Sequence, residues 1–257
     1  MFRRKVGLTA LAAVLALLAI AASAHADSDI AQLMAEGDAY DAKLDNVHAL
    51  EAYLQAEKLG ASGAETLYRI ARQYALRMND TTSESAQRDL AETALTYAKR
   101  AIAADPKSAK AQLSAAVCYG RLVPYVSSKQ KVEYSRLIKE HADSALQLDP
   151  TDSYAWHILG VWNYELAKMG PFMRGVVKVV YGGIPPASNE EAARLLRKAV
   201  EIAPDRVAHH VELGRTYLAL GMKDQARIEL QRGLALPDRE KDDPVSKRRA
   251  RDALAEL

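Results

Sequence analysis

From Ile30 onward apolar side chains recur every three or four residues, and no alternating run is long enough for a strand, so the pattern is that of amphipathic helices throughout. The helices read as pairs. Asp105-Pro106, Asp149-Pro150 and Ala203-Pro204 fall where one pair ends and the next begins, because proline cannot continue the preceding helix. Gly221, after Tyr217-Leu218-Ala219-Leu220, reads as a left-handed stop within a pair. Ser62-x-x-Glu65, Ser127-x-x-Gln130 and Ser188-x-x-Glu191 read as capping boxes at helix starts, each satisfying two orphan backbone donors.

Small residues recur inside this pattern at fixed places. Trp156-x2-Leu159-Gly160 is followed by Ala192-x3-Leu196-x2-Ala199-x4-Pro204, and downstream by Leu213-Gly214-x2-Tyr217, Ala226, Leu230 and Gly233. This is the tetratricopeptide-repeat pattern, in which two antiparallel helices touch at small residues and an aromatic fills the space beside them. Five repeats can be set in this register. The first carries Gly37, Tyr40, Ala49, Tyr53 and Ala56, the second Ala71, Tyr74, Ala94, Ala98 and Ala101, and the third Ala116, Tyr119, Ile138, Ala142 and Ala145. No pair buries its own apolar face, so neighbours must stack. The prediction is an all-α, tetratricopeptide-repeat-like helical solenoid over residues 27–257, with about five helix pairs and a C-terminal capping helix.

Three repeats are longer than the pattern requires. The step from the eighth to the twentieth position is 12 residues in repeats one and five (Gly37 to Ala49, Gly214 to Ala226), 23 in repeat two (Ala71 to Ala94), 22 in repeat three (Ala116 to Ile138) and 32 in repeat four (Gly160 to Ala192). In repeats two and three the extra length predicts extended second helices, near 83–104 and 127–148. About three added turns keep the buried face in register while lengthening the helix by roughly 16 Å. Repeat four instead carries an apolar insertion, residues 169–187, in which Gly170-Pro171 and Gly182-Gly183 bracket Phe172, Met173, Val176, Val177, Val179, Val180 and Tyr181. It is too short to span a bilayer as a helix. The expectation is a lid over the repeat groove, either completing the core or facing a lipid, an apolar peptide or a membrane interface.

Residues 1–26 read as a leader outside the fold. Arg3, Arg4 and Lys5 precede a continuously apolar run, and Ala24-His25-Ala26 is an A-x-A cleavage site, so a secretory signal peptide is expected; an uncleaved anchor is the alternative. The formal charge of the whole chain is +2. Without those three cations, 32 basic side chains face 33 acidic ones, which gives no electrostatic case for nucleic acid. One cysteine, Cys118, excludes an internal disulfide, and its neighbours Ala115, Ala116, Val117 and Tyr119 suit a small buried apolar residue.

Residues 142–237 resemble the regulator of microtubule dynamics family. The resemblance rests on Ala142 to Pro150, Trp156-His-Ile-Leu-Gly-Val-Trp162, Tyr164-Glu-Leu-Ala167 and the Gly-rich apolar insert ending Pro185-Pro186-Ala187. It continues through Glu190-Glu191-Ala192, Ala199-Val-Glu201 and Tyr217-Leu-Ala-Leu-Gly221. It implies a helical repeat fold and protein interaction. For eukaryotic relatives it implies association with microtubules or organelle membranes, phospholipid binding included. Microtubules do not carry over to an exported chain, and the leader with a lone cysteine suggests a bacterial envelope, hence a periplasmic setting or a membrane-anchored one.

Motifs for catalysis are isolated. Ser128-x-x-Lys131 lacks the partner motifs of penicillin-binding proteins, and Tyr164-x3-Lys168 has no glycine-rich nucleotide loop. His157 and His209-His210 lack the Cys or carboxylate arrangement of a metal site, and are expected to line the groove or lie on a solvated helix surface. No cofactor, metal or catalytic residue is expected. Two functions remain. A scaffold would bind a protein or peptide in its concave groove, lined from the first helices by Leu113, Val117, Tyr154, His157, Val161, Tyr164, Val211 and Arg215, an apolar and aromatic wall with few charges. A carrier or sensor of an apolar ligand such as phospholipid would close that wall with 172–181, through Phe172, Val177 and Tyr181. A monomer is expected in either case.

Overall fold

The structure is a computed structural model that describes residues 27–257; the leader reading of 1–26 lies outside the described residues. These residues are helical with no strand among them. The chain divides into two compact units at Ser62/Gly63.

In the first unit, helix α1 (27–41) and helix α2 (Asn46–Lys58) form one antiparallel pair. The turn between them contains Leu44 in the left-handed region, at φ 61°. Gly37 sits where a Cβ would lie 2.4 Å from the Tyr53 ring, so only glycine permits that approach. The Tyr53 hydroxyl donates to Asp38 at 2.7 Å, and Ala49 and Ala56 are fully buried.

In the second unit, α3 (Ala64–Arg77) pairs with α4 (Glu84–Ala104), α5 (Ala109–Leu122) with α6 (Ser128–Leu148), α7 (Ser153–Ala167) with α9 (Asn189–Ile202), and α10 (Val207–Ala219) with α11 (Lys223–Ala235). Helix α8 (Pro171–Tyr181) is the insertion, and α12 (Asp243–Ala255) packs on α10 and α11. The first helices lie side by side, α3 beside α5, α5 beside α7 and α7 beside α10. The repeat register therefore holds, and α4 and α6 are the two extended helices, each 21 residues long.

The close approaches are made where the small residues stand. A Cβ on Gly160 would lie 2.5 Å from Leu196 Cγ, and one on Gly214 would lie 2.7 Å from Leu230 Cγ. Ala94, Ala98, Ala142, Ala145, Ala192, Ala199 and Ala226 are fully buried along the same seams. Neighbouring pairs share one apolar layer. Trp162 of α7 packs into the cluster built from Ala94, Ala98, Ala115, Cys118 and Ile138, and its Nε1 donates to the Ser135 carbonyl at 2.7 Å. The Cys118 thiol lies in that layer, where burial pushes its pKa up to about 12, so it packs as an apolar group and is inert as a nucleophile.

Ser127 and Gln130 make the reciprocal capping box. Ser83, Ser108 and Ser188 each accept from the backbone N–H three residues on. Ser62 does not start α3, contrary to the capping-box expectation. Gly63 is the cap and makes no side-chain bond, while Glu65 is taken by Arg69, at 2.7 Å, and by the Tyr68 hydroxyl. A full charge four residues away on the same face outcompetes a backbone donor for that carboxylate.

Candidate functional site

The first helices present a common wall, and the structure sorts its expected residues. Tyr154 and His157 are brought together with His209 of α10: ring centroids lie 5.0 Å apart for Tyr154–His209 and 4.9 Å for His157–His209. His157 Nδ1 and His209 Nδ1 share a hydrogen bond of 3.2 Å. His209 is fully buried and His210 nearly so, so neither is on a solvated surface. Burial, the facing His157 and Arg206 push the His209 pKa down to about 2, and burial also lowers that of His157. His210 moves the other way. Burial opposes its charge, but Glu229 at 2.6 Å and the Pro204 carbonyl at 2.8 Å raise its pKa. Burial first, and then the Glu240 carboxylate, hold the Tyr154 hydroxyl far above the ordinary phenol range.

Tyr164 is flanked by two cations, with Lys168 Nζ 4.1 Å and the Arg215 guanidinium 5.1 Å from its ring centre. Arg215 is tied to Glu212 at 2.6 Å. Leu113 and Val117 pack with Ala145, Ala155 and Ile158, and Val161 packs with Ala193, Leu196 and Leu213. Val211 is fully buried under Leu230 and the α12 residues Ala250 and Ala253. Four expected wall residues thus serve mainly to join helices. Among the described residues no three His, Cys, Asp or Glu side chains gather as a metal site.

Two expectations are corrected. The insertion does not lie over the Tyr154–Tyr164 wall. α8 leans on α6, where Arg136 donates to the carbonyls of Tyr181 and Gly183. Arg174 ties the start of the insert down by donating to the carbonyls of Leu166 at 2.9 Å and Ala187 at 3.1 Å. Val177 is buried at 6% exposure, but Phe172 and Val179 stand 82% and 86% exposed. Phe172, Val176, Val179 and Val180 share one face of the helix, turned away from Val177, and that face meets solvent.

The wall is also far from charge-poor. Arg72 of α3, Arg121 of α5 and Arg206 ahead of α10 reach a common strip of it. All three meet the segment that links α11 to α12. Arg72 Nη2 donates to Glu240 at 2.9 Å and Arg206 pairs with the same carboxylate; Arg121 Nη2 donates to Asp242 at 2.5 Å. Asn79 also donates to Asp242, and Lys241 pairs with Asp80 at 2.9 Å. The Arg206 guanidinium lies 5.5 Å from the Tyr154 ring centre. Sequence could have located Arg72, because it occupies the ninth position of repeat two, in register with Val117, Val161 and Arg215. Nothing in the repeat pattern announces that residues 237–242 return to the wall.

Comparison with known families matches residues 31–257 to the family described as regulator of microtubule dynamics protein 1-3. Regulator of microtubule dynamics protein 1 of Mus musculus is 32% identical over 225 residues, covering 87% of this chain and 73% of the mouse protein. The Bos taurus protein of that name is 32% identical over 182 residues, 70% of this chain but 57% of the bovine protein, so the match spans little more than half of some relatives. The Caenorhabditis elegans protein is 26% identical over 191 residues, covering 74% of this chain and 84% of the worm protein. Among solved structures, a tetratricopeptide-repeat protein of Thermus thermophilus superposes with a TM-score of 0.64 at 17% identity, over 88% of this chain and 99% of that one. Pseudomonas aeruginosa pilF does so with a TM-score of 0.54 at 14% identity, over 90% of each chain. These two likenesses concern the fold.

Proposed function

The chain belongs to the regulator of microtubule dynamics family, and from that premise we propose that it is a non-enzymatic scaffold that binds a protein or peptide partner along its concave groove, the wall of α3, α5, α7 and α10. One observation carries the reading. A non-helical stretch of chain, residues 237–242, already crosses that wall and is held there by side chains from successive pairs. A surface that holds one non-helical segment, turned at Glu240 to Asp243, by charge-assisted bonds is suited to hold non-helical chain. Tyr154, flanked by Arg206 and His209, offers an aromatic anchor of the kind that dominates binding energy at interfaces. The composition of residues 1–26 supports an exported, envelope setting and gives no support to microtubules as the partner.

The test is co-purification from cells with the double reversal Arg72→Glu/Arg121→Glu, against Arg197→Glu on the exposed face of α9. The reading requires partners to be lost from the wall variant and kept by the α9 variant. Equal recovery from both would overturn it.

A second reading rests on α8. Its Phe172, Val176, Val179 and Val180 side chains line one apolar, solvent-facing surface, which supports contact with phospholipid outside the groove. Flotation with phospholipid vesicles separates wild type from Phe172→Ser/Val179→Ser on this reading, and equal flotation of the two would remove it.

A further inference from the structure

We infer that residues 237–242 are an internal stand-in for the acidic segment of a partner, and that they gate the groove by occupying its arginine strip. The inference rests on the groove being the binding surface and names the partner's chemistry and its regulation.

The strip is specific in what it accepts. Its reaching groups are three guanidinium ions and one carboxamide, Arg72, Arg121, Arg206 and Asn79, from three different places in the repeat array. What they hold is two carboxylates two residues apart, Glu240 and Asp242. Guanidinium forks match carboxylate geometry better than any other side chain, so the strip itself selects carboxylates, while Arg239 of the segment pairs with Asp205 beside it. The intervening Lys241 turns to Asp80 instead, at 2.9 Å.

The hold is of a kind that exchanges. Pro237, Asp238 and Arg239 are exposed and Glu240 to Asp242 half-buried, so the segment inserts no apolar anchor into the core. Ion pairs at such exposure are individually weak and fall with salt. Both flanks are anchored independently of the strip. α11 is fixed through fully buried Leu230, and α12 through Ala250 and Ala253 against Val207 and Val211. The segment can therefore leave the wall while the helices on either side stay docked. A segment whose only task was to fasten the fold would gain more from a buried apolar side chain than from half-buried ion pairs. An acidic partner that repeats the Glu-x-Asp spacing competes for the same three arginines, and intramolecular attachment gives the resident segment the advantage until the partner is abundant or multivalent.

The experiment uses a fluorescein-labelled peptide with the sequence of residues 236–244, LPDREKDDP, titrated by anisotropy into the full chain and into Glu240→Gln/Asp242→Asn. The expected result is at least a tenfold tighter binding to the double variant than to wild type, lost when Arg72→Gln and Arg121→Gln are added, weakened by salt, and absent for LPNRQKNNP, in which every carboxylate is replaced by an amide. No binding to the double variant, or equal binding to both proteins, overturns the inference. Should the double variant melt early, hydrogen exchange on wild type decides. The Arg239 and Glu240 amides, which both donate to Asp243 at 2.8 Å, must exchange faster with saturating peptide, and unchanged protection refutes displacement. If the wall variants above lose their partners but this peptide never binds, the groove reading stands and the acidic-mimic inference falls.

Discussion

Gly160 shows how much a single atom decides in this fold. A Cβ there would stand 2.5 Å from Leu196 Cγ and 3.3 Å from the Leu196 backbone nitrogen, and the latter cannot move aside as a rotamer can. Overpacking a seam of this kind costs about 1–3 kcal/mol. Gly160→Leu is expected to lower the melting temperature well below that of wild type, and an unchanged melt would mean that α7 and α9 do not touch there. The buried histidines make a second residue-scale prediction. A base whose folded pKa is depressed is stabilising when neutral, so its contribution is whole above its unfolded pKa of about 6.5 and is lost as pH falls from there toward the folded value of about 2. His157 acts in the same direction and His210, with its raised pKa, in the opposite one. His209→Phe should flatten the fall in melting temperature between about pH 6.5 and 4 relative to wild type. Parallel curves for the two proteins would contradict the burial account. The small residues of the seams were legible in the sequence because only glycine and alanine let helices approach so closely. The histidine pair was not, because residues 157 and 209 sit 52 positions apart and meet only when α7 and α10 stack.

At the scale of elements, caps and insertions follow local chemistry, and orientation does not. Ser127 caps α6 by accepting from the Gln130 N–H while Gln130 reaches back to the Ser127 N–H. Ser127→Ala should therefore cost about 1 kcal/mol, read as a lower denaturation midpoint at unchanged slope. No shift would show that the start of α6 is held by packing alone. The insertion was legible as a helix from Gly170-Pro171 and from Gly182, which ends α8 at φ 76°. Its placement was not, since apolar content predicts burial and the actual packing buries Val177 while leaving Phe172 and Val180 at 82% and 59% exposure. Within α8, Val177→Ser is expected to destabilise by about 1.5 kcal/mol or more, while Phe172→Ser and Val180→Ser leave thermal stability close to wild type. Equal losses at all three positions would place α8 in the core.

The whole molecule follows from helix pairs that cannot bury themselves alone. Stacking them sets α3, α5, α7 and α10 side by side, and this alone brings Arg72, Arg121 and Arg206 within reach of one segment. Repeat number, pair boundaries and extended helices could be read from spacing. The character of the wall could not, because an arginine at a groove position looks like an ordinary solvated charge until its partner is seen, and Glu240 and Asp242 lie far along the chain from Arg72 and Arg121. The central claim is that a partner binds on the first-helix wall. It is tested most directly by placing a photo-crosslinking amino acid in living cells at Tyr68 and Lys110 on the first helices α3 and α5, and at Arg197 and Gln231 on the second helices α9 and α11. The account predicts discrete crosslinked partners from the first two positions and none from the last two. Crosslinks concentrated at Arg197 and Gln231, with none from Tyr68 and Lys110, would contradict it.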